Sequence, residues 1–174
     1  MGPLFNGMIA PLIPYALRGA LWYQGEANTT PDRAGFYRDQ LPLLINDWRA
    51  RWGQGAFPFA WVQLPNFNAP DRDWPLLREG MLEALRTPNT GMAVTIDIGD
   101  PRDVHPTGKL DVGRRLALLA RRDVYGEKIT ASGPIYQDFR IEGGSIRVRF
   151  RETGSGLGPG QTLVDRRSAA RRRR

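Results

Sequence analysis

Apolar residues gather in short runs that alternate with longer amphipathic stretches. Residues 20–24 (ALWYQ), 57–64 (FPFAWVQL) and 91–96 (GMAVTI) are mainly apolar runs of strand length, rich in aromatic or β-branched residues. The first lies between Gly19 and Gly25, the second ends at Pro65 and the third opens on Gly91, and each predicts a buried strand. Between the first two runs, Phe36, Leu41, Leu44, Ile45, Trp48 and Trp52 recur at three- and four-residue spacing. That is the period of one helix face. Thr30-Pro31-Asp32 offers a hydroxyl cap, a proline at the first helical position and an acid in the first turn, so the helix is predicted to start there. Pro42 falls inside it, which predicts a kink or two abutting helices. Asp73 is placed to cap a second helix through residue 86, with Trp74, Leu77, Met81 and Leu85 on one stripe. A third helix is predicted over residues 110–124, with Val112, Leu116, Leu119 and Ala120 inward. Residues 1–18 read as an irregular lead-in with a turn at Asn6-Gly7.

Strand, helix, strand, helix, strand, helix is the order of an α/β protein with parallel strands and helices on both faces. The pattern changes after Gly126. Phe139-Arg140-Ile141 and the run from Ile146 to Phe150 alternate with period two around Gly143-Gly144, which predicts a hairpin. Three segments are therefore expected: 1–128 as the α/β part, 129–152 as the start of a β element, and 153–174 as a disordered Gly/Arg-rich tail.

Composition changes this picture little. A length of 174 residues suits about one domain. The absence of cysteine excludes disulfides and thiolate metal sites, and a single histidine argues against a His-based zinc site. No cofactor is expected. The net charge of +7 suggests nucleic acid, but six of those charges are Arg166, Arg167, Arg171, Arg172, Arg173 and Arg174. Residues 1–165 then carry only +1, so the basic signal is a tail and not a face, and no nucleic-acid partner is expected. No run of about 18 apolar residues exists to span a membrane. Residues 8–17 are broken by Pro11 and Pro14 and lack a basic lead, unlike a signal peptide.

Two stretches carry candidate chemistry. The first is Leu21-Trp22-Tyr23-Gln24-Gly25-Glu26-Ala27-Asn28, which would deliver Gln24, Glu26 and Asn28 to the carboxyl end of a strand, where open α/β sheets bind ligands. A glutamine amide or a glycine N–H there can stabilise an oxyanion; an acid there also suits the start of a helix. The second is Asp97-Ile98-Gly99-Asp100-Pro101-Arg102-Asp103-Val104-His105-Pro106, which sets three carboxylates before the only histidine. An acid bonded to Nδ1 fixes the tautomer and leaves Nε2 free as a general base. The alternative is a capping loop with Asp103 paired to Arg102 or Lys109.

A parallel sheet would bring both strand ends to one edge. Taken together, the two stretches resemble the sialate O-acetylesterases of the SGNH (GDSL-like) hydrolase superfamily. Phe5-Asn6-Gly7-Met8-Ile9-Ala10-Pro11 and the helix KLDVGRRLALLA resemble the same family, over roughly residues 4–152. The resemblance implies a three-layer flavodoxin-like fold, incomplete at the N-terminus, and a serine hydrolase that removes acetyl groups from sugars such as sialic acid through an acyl-serine intermediate. It implies His105 as general base, Asp103 or Glu26 as its acid, and Gln24, Gly25 and Asn28 at the oxyanion and substrate site. It also implies a periplasmic or extracellular location. One departure stands out. The family's nucleophile lies in a Gly-Gln-Ser-Asn-type turn before the Gln-Gly-Glu segment, whereas Ser132, Ser145, Ser155 and Ser168 all follow His105. None follows a buried strand turning into a helix, as a nucleophile elbow requires. The expectation is a C-terminal part of a catalytic domain, truncated and weakly active or inactive, with a non-catalytic sugar-binding module as the alternative.

Overall fold

The computed structural model describes residues 2–154 and 156. They divide into two units, Met1–Gly133 and Pro134–Arg174. The predicted tail lies almost wholly outside the described residues.

The first unit is built on three parallel strands in the order β1-β2-β3: β1 Ala20–Trp22, β2 Phe59–Val62 and β3 Thr90–Ala93. Trp22 is in register with Trp61, and Trp61 with Met92. Each strand is shorter than its apolar run. The ladder stops where the backbone turns aside to form loops, at Gln24-Gly25 after β1 and at Gln63 after β2. There Gln63 N–H still donates to Ala93 O at 2.9 Å before the chains part.

Two helices, α1 (Tyr37–Trp52) and α2 (Trp74–Glu83), cover one face of the sheet. Phe59, Trp61 and Met92 meet Leu41, Ile45, Trp74, Leu77 and Met81 there in one buried cluster. The third helix, α3 (Lys109–Asp123), covers the other face, where Leu119 packs on Ala60, Ala93 and Ala131. Small residues on that face let the helix approach closely. The α/β expectation of a parallel sheet flanked by helices is met.

Three local expectations are corrected. The first helix does not start at Thr30-Pro31: Thr30 O instead closes a turn by accepting from Arg33 and Ala34 N–H, both at 2.9 Å, and residues Ala34–Phe36 form a 3-10 turn. Gly35 disfavours an α-helix at that point, and α1 begins only at Tyr37. Pro42 neither breaks nor divides α1. A proline there leaves the carbonyl four residues earlier without its N–H partner, and Arg86 Nη2 lies 3.5 Å from that carbonyl, Arg38 O. Finally, the lead-in is largely helical, as a π turn over Phe5–Ile9 and a 3-10 turn over Ala10–Leu12. It docks against the end of α1, where Trp52 Nε1–H donates to Tyr15 O (3.0 Å) and Arg51 lies over the Phe5 ring.

Phe36, predicted on the helix face, is exposed and precedes α1, whereas the features of the second and third helices are in place. Asp73 caps α2 by accepting from Leu76 N–H at 3.3 Å. In α3, Val112 and Leu119 are buried and Leu116 and Ala120 are half-buried. No helix among the described residues is long and apolar enough to cross a membrane.

The second unit is an antiparallel hairpin, β4 (Ile135–Glu142) and β5 (Ser145–Arg151), turning at Gly143-Gly144. Its ladder is reinforced by cross-strand ion pairs, Arg149 with Asp138 and Arg147 with Glu142.

Candidate active site

The turn after β1 is held from below. Gly25 is buried with φ 156° and ψ −20°, a conformation that side-chain-bearing residues rarely adopt. A Cβ at this position would lie 2.9 Å from Met81 Cε, 3.2 Å from Leu77 Cδ2 and 3.3 Å from Leu64 Cδ1. Only glycine lets the backbone turn here while resting on the core. Glu26, Ala27 and Asn28 follow as a 3-10 turn, whose exit is tied by the Thr29 hydroxyl donating to Glu26 O at 2.7 Å.

That turn sends its polar side chains in two directions. Gln24 and Asn28 face α1: Gln24 Nε2–H donates to Asn28 Oδ1 (2.8 Å), and Asn28 Nδ2–H to Gln40 Oε1 (3.3 Å). The Tyr37 hydroxyl lies 2.9 Å from Gln24 O and 3.0 Å from Gln24 Oε1, while accepting from Trp22 Nε1–H at 3.2 Å. Burial pushes the Tyr37 phenol up to about 12, with the Glu26 charge adding to the shift against the hydrogen bond from Trp22. These residues line a hollow between β1 and α1. Tyr37 thus orients Gln24, a role that no feature singled out in the sequence revealed. Glu26 takes the other direction. It lines a second, open cleft with Thr29, Phe67, Arg72, Trp74 and Val104.

The segment after β3 reaches the same cleft through Val104, with Asp103 and His105 on either side of it in the chain. Gly99 makes this approach possible. Its N–H donates to Asn66 Oδ1 at 2.8 Å, and a Cβ there would collide with Asn66 O. Asn68 N–H donates to Pro101 O at 3.0 Å, so the loop after β2 is laced to the loop after β3. Neither asparagine was singled out from the sequence; two asparagines in a proline-bounded loop were the available signal.

The three carboxylates have separate tasks. Asp97 forms a bidentate pair with Arg115, both contacts at 2.6 Å, which holds its carboxyl below the usual carboxylate range. Asp100 accepts from Arg102 N–H at 2.8 Å and pairs with its side chain at 3.8 Å. Lys109 lies over the Tyr23 ring, 4.7 Å from its centroid. The capping-loop alternative for Asp103 therefore finds neither Arg102 nor Lys109 beside it. Asp103 Oδ1 instead accepts from His105 N–H at 2.8 Å and lies 3.6 Å from His105 Nδ1. The imidazole is largely exposed (85 %). Asp103 is the acid in ion-pair range of His105; Glu26 shares a cleft with Val104.

The tryptophans divide as well. Trp61 and Trp74 are core residues, and Trp22 packs edge-on against Trp48 at 6.1 Å. Phe67, half-buried against Trp74 at 5.4 Å, keeps part of its ring in the cleft. Among the described residues no cluster of acids and histidine is arranged to hold a metal ion.

Comparison with known proteins gives a consistent answer. Residues 5–121 match the family described as carbohydrate esterase, sialic acid-specific acetylesterase. The chain is 40% identical over 154 residues to a sialate O-acetylesterase of Mus musculus, covering 76% of this chain and 28% of that protein. It is 38% identical over 160 residues to the Homo sapiens sialate O-acetylesterase, covering 79% and 30%. Less than a third of the length of these relatives is thus represented. A crystal structure of a carbohydrate acetylesterase from Xanthomonas citri superposes with a TM-score of 0.82 at 46% identity, over 85% of this chain and 35% of that one. The motif after β1, the acid–histidine loop after β3 and the parallel sheet that joins them place this chain in the sialic acid-specific acetylesterase family of carbohydrate esterases.

Proposed function

We propose that this chain carries the base-and-acid half of a carbohydrate O-acetylesterase site. The observation that carries the reading is the Asp103–His105 pair in the loop whose Val104 shares a cleft with Glu26. His105 acts as general base through Nε2. Asp103, at Nδ1, orients the ring and stabilises the imidazolium. Gly25 N–H, at the point where the turn divides, is the candidate oxyanion donor, whereas the Gln24 amide is turned to the hollow beside α1. Asn28 supports Gln24. The substrate is an O-acetylated sugar, and acetyl transfer passes through a serine ester that water then hydrolyses.

The first 131 residues contain no serine. Ser132 Oγ donates to Gly133 O, and Ser145 opens β5 in the second unit; Ser155 and Ser168 lie outside the described residues. The nucleophile is therefore expected from a segment not contained in this sequence, and the chain by itself is expected to be weakly active or inactive. Without a triad serine, rates typically fall by several orders of magnitude. The half-exposed Phe67 face at the cleft also suits the second reading, a sugar-binding module that does not hydrolyse.

The test is a chimera in which residues 5–121 replace the matching segment of the Xanthomonas citri carbohydrate acetylesterase. Acetate release from an O-acetylated sugar, lost by at least about 10³-fold on His105→Ala, is the expected result. A folded chimera that binds sugar but releases no acetate would favour the binding module. Turnover by the 174-residue chain alone at the rate of the intact relative would refute the missing nucleophile.

A further inference from the structure

Resting on the esterase reading, we infer that Arg72 is the specificity-determining residue that selects a sugar acid over a neutral sugar, by receiving the substrate carboxylate in the Glu26 cleft. Arg72 is the only cation among the residues lining that cleft. Most arginines of the first unit pair with a carboxylate, among them Arg33, Arg51, Arg86, Arg102 and Arg115. Arg72 has no ion-pair partner among the described residues, although Asp71 and Asp73 flank it in the chain.

Its backbone is also held in relation to the site. Arg72 N–H donates to Ala69 O at 3.1 Å, and the next residue, Asp73, donates its N–H to Thr29 O at 2.6 Å. Thr29 in turn bonds Glu26 O through its hydroxyl. The guanidinium therefore projects from a segment anchored to the Glu26 turn. Phe67, packed on Trp74 between the two loops, supplies an apolar surface on which a sugar ring can rest.

A planar guanidinium matches a carboxylate with two parallel hydrogen bonds, and the match is stronger than one between neutral groups. Glu26 on the same cleft repels an anion. The favoured substrate thus has its carboxylate at one end and its acetyl ester at the other, with the carboxylate on Arg72 and the ester toward His105. A neutral acetylated sugar leaves Arg72 unused and gains nothing from it.

Binding to the 174-residue chain tests this without requiring turnover. The probes are N-acetylneuraminic acid and its methyl ester, titrated by NMR against the wild type and Arg72→Gln, with circular dichroism to verify folding. The expected result is that the acid binds about 10-fold more tightly than the ester, and that Arg72→Gln abolishes this difference while leaving the ester's affinity unchanged. Raising salt from 50 to 500 mM should weaken only the acid. Equal binding of acid and ester by the wild type, or an equal loss of both in Arg72→Gln, overturns the assignment and leaves the esterase reading intact. Failure of both probes to bind the folded wild type overturns the cleft as a sugar site, and the Arg72 assignment with it.

Discussion

Gly25→Ala is the substitution whose cost can be worked out most directly. Two effects add. The backbone at φ 156° and ψ −20° is nearly reserved for glycine, and holding another residue in so sparsely populated a region costs about 1–3 kcal/mol. The new methyl also meets Met81 Cε at 2.9 Å, Leu77 Cδ2 at 3.2 Å and Leu64 Cδ1 at 3.3 Å. Met81 is flexible at its tip, but all three side chains are fully buried, so none can swing into solvent. Overpacking a closed core by one carbon costs about 1–3 kcal/mol. The sum is about 2–6 kcal/mol, enough to threaten a domain of ordinary stability. Urea unfolding followed by tryptophan fluorescence should show a midpoint lowered by about 1 M or more with an unchanged slope. Gly113→Ala is the control. Gly113 lies in α3 with nothing within 4 Å of a new Cβ, so alanine there should stabilise by about 0.5–1 kcal/mol. If Gly25→Ala stayed within about 0.5 kcal/mol of wild type, the account of the turn as glycine-dependent and core-supported would be wrong.

Three other outcomes are expected. Tyr37, at about 12 in the folded protein against about 10 unfolded, contributes stability that is fully present below pH 10 and is lost as pH rises toward 12, in total about 2–3 kcal/mol. Tyr37→Phe should remove that alkaline loss, and a pH series of unfolding curves checks it. Asp97 titrates in the opposite sense. Its folded value is depressed by Arg115, so its contribution is present above the unfolded value near 4 and fades as pH falls below it. Because the pair is largely solvent-exposed, Asp97→Asn should cost under about 1 kcal/mol at pH 7 and progressively less as pH falls through the folded value. Arg49, buried with no acid partner among the described residues, donates to Phe57 O from Nε (3.1 Å) and Nη2 (2.8 Å) and to Asn89 O at 3.0 Å, joining the chain just before β2 to the chain just before β3. Arg49→Ala strands Phe57 O and leaves Asn89 O with Phe59 N–H as its remaining donor, and should cost about 1–3 kcal/mol in chemical denaturation, with Arg49→Lys recovering only part. A loss below about 0.5 kcal/mol would show that water replaces the guanidinium.

The α/β order, the parallel sheet and the two polar stretches at its carboxyl edge were legible in the sequence. They follow from local rules: strand-length apolar runs, helical periodicity and the Asp73 cap each depend on neighbours a few residues away. The family resemblance likewise rests on contiguous motifs. Where α1 begins was not legible. Thr30-Pro31-Asp32 has the composition of a helix start, but its backbone closes a tighter turn and Gly35 delays the helix. Nor could the sequence foresee that Arg86, 48 residues away from Arg38, approaches the carbonyl that Pro42 leaves open.

The sequence alone determined which residues reach the sheet edge, because strand length and the turn residues Gly25 and Gly99 are local properties. Tertiary structure decided how those residues are partitioned. It turned Gln24 and Asn28 toward α1 and Glu26 toward the cleft. By pairing Asp97 with Arg115, Asp100 with Arg102 and Lys109 with Tyr23, it left Asp103 as the acid beside His105. The pairs Asp100–Arg102 and Asp103–His105 are local, two residues apart, but Asp97–Arg115 and Lys109–Tyr23 depend on distances between separate elements, which spacing along the chain does not set.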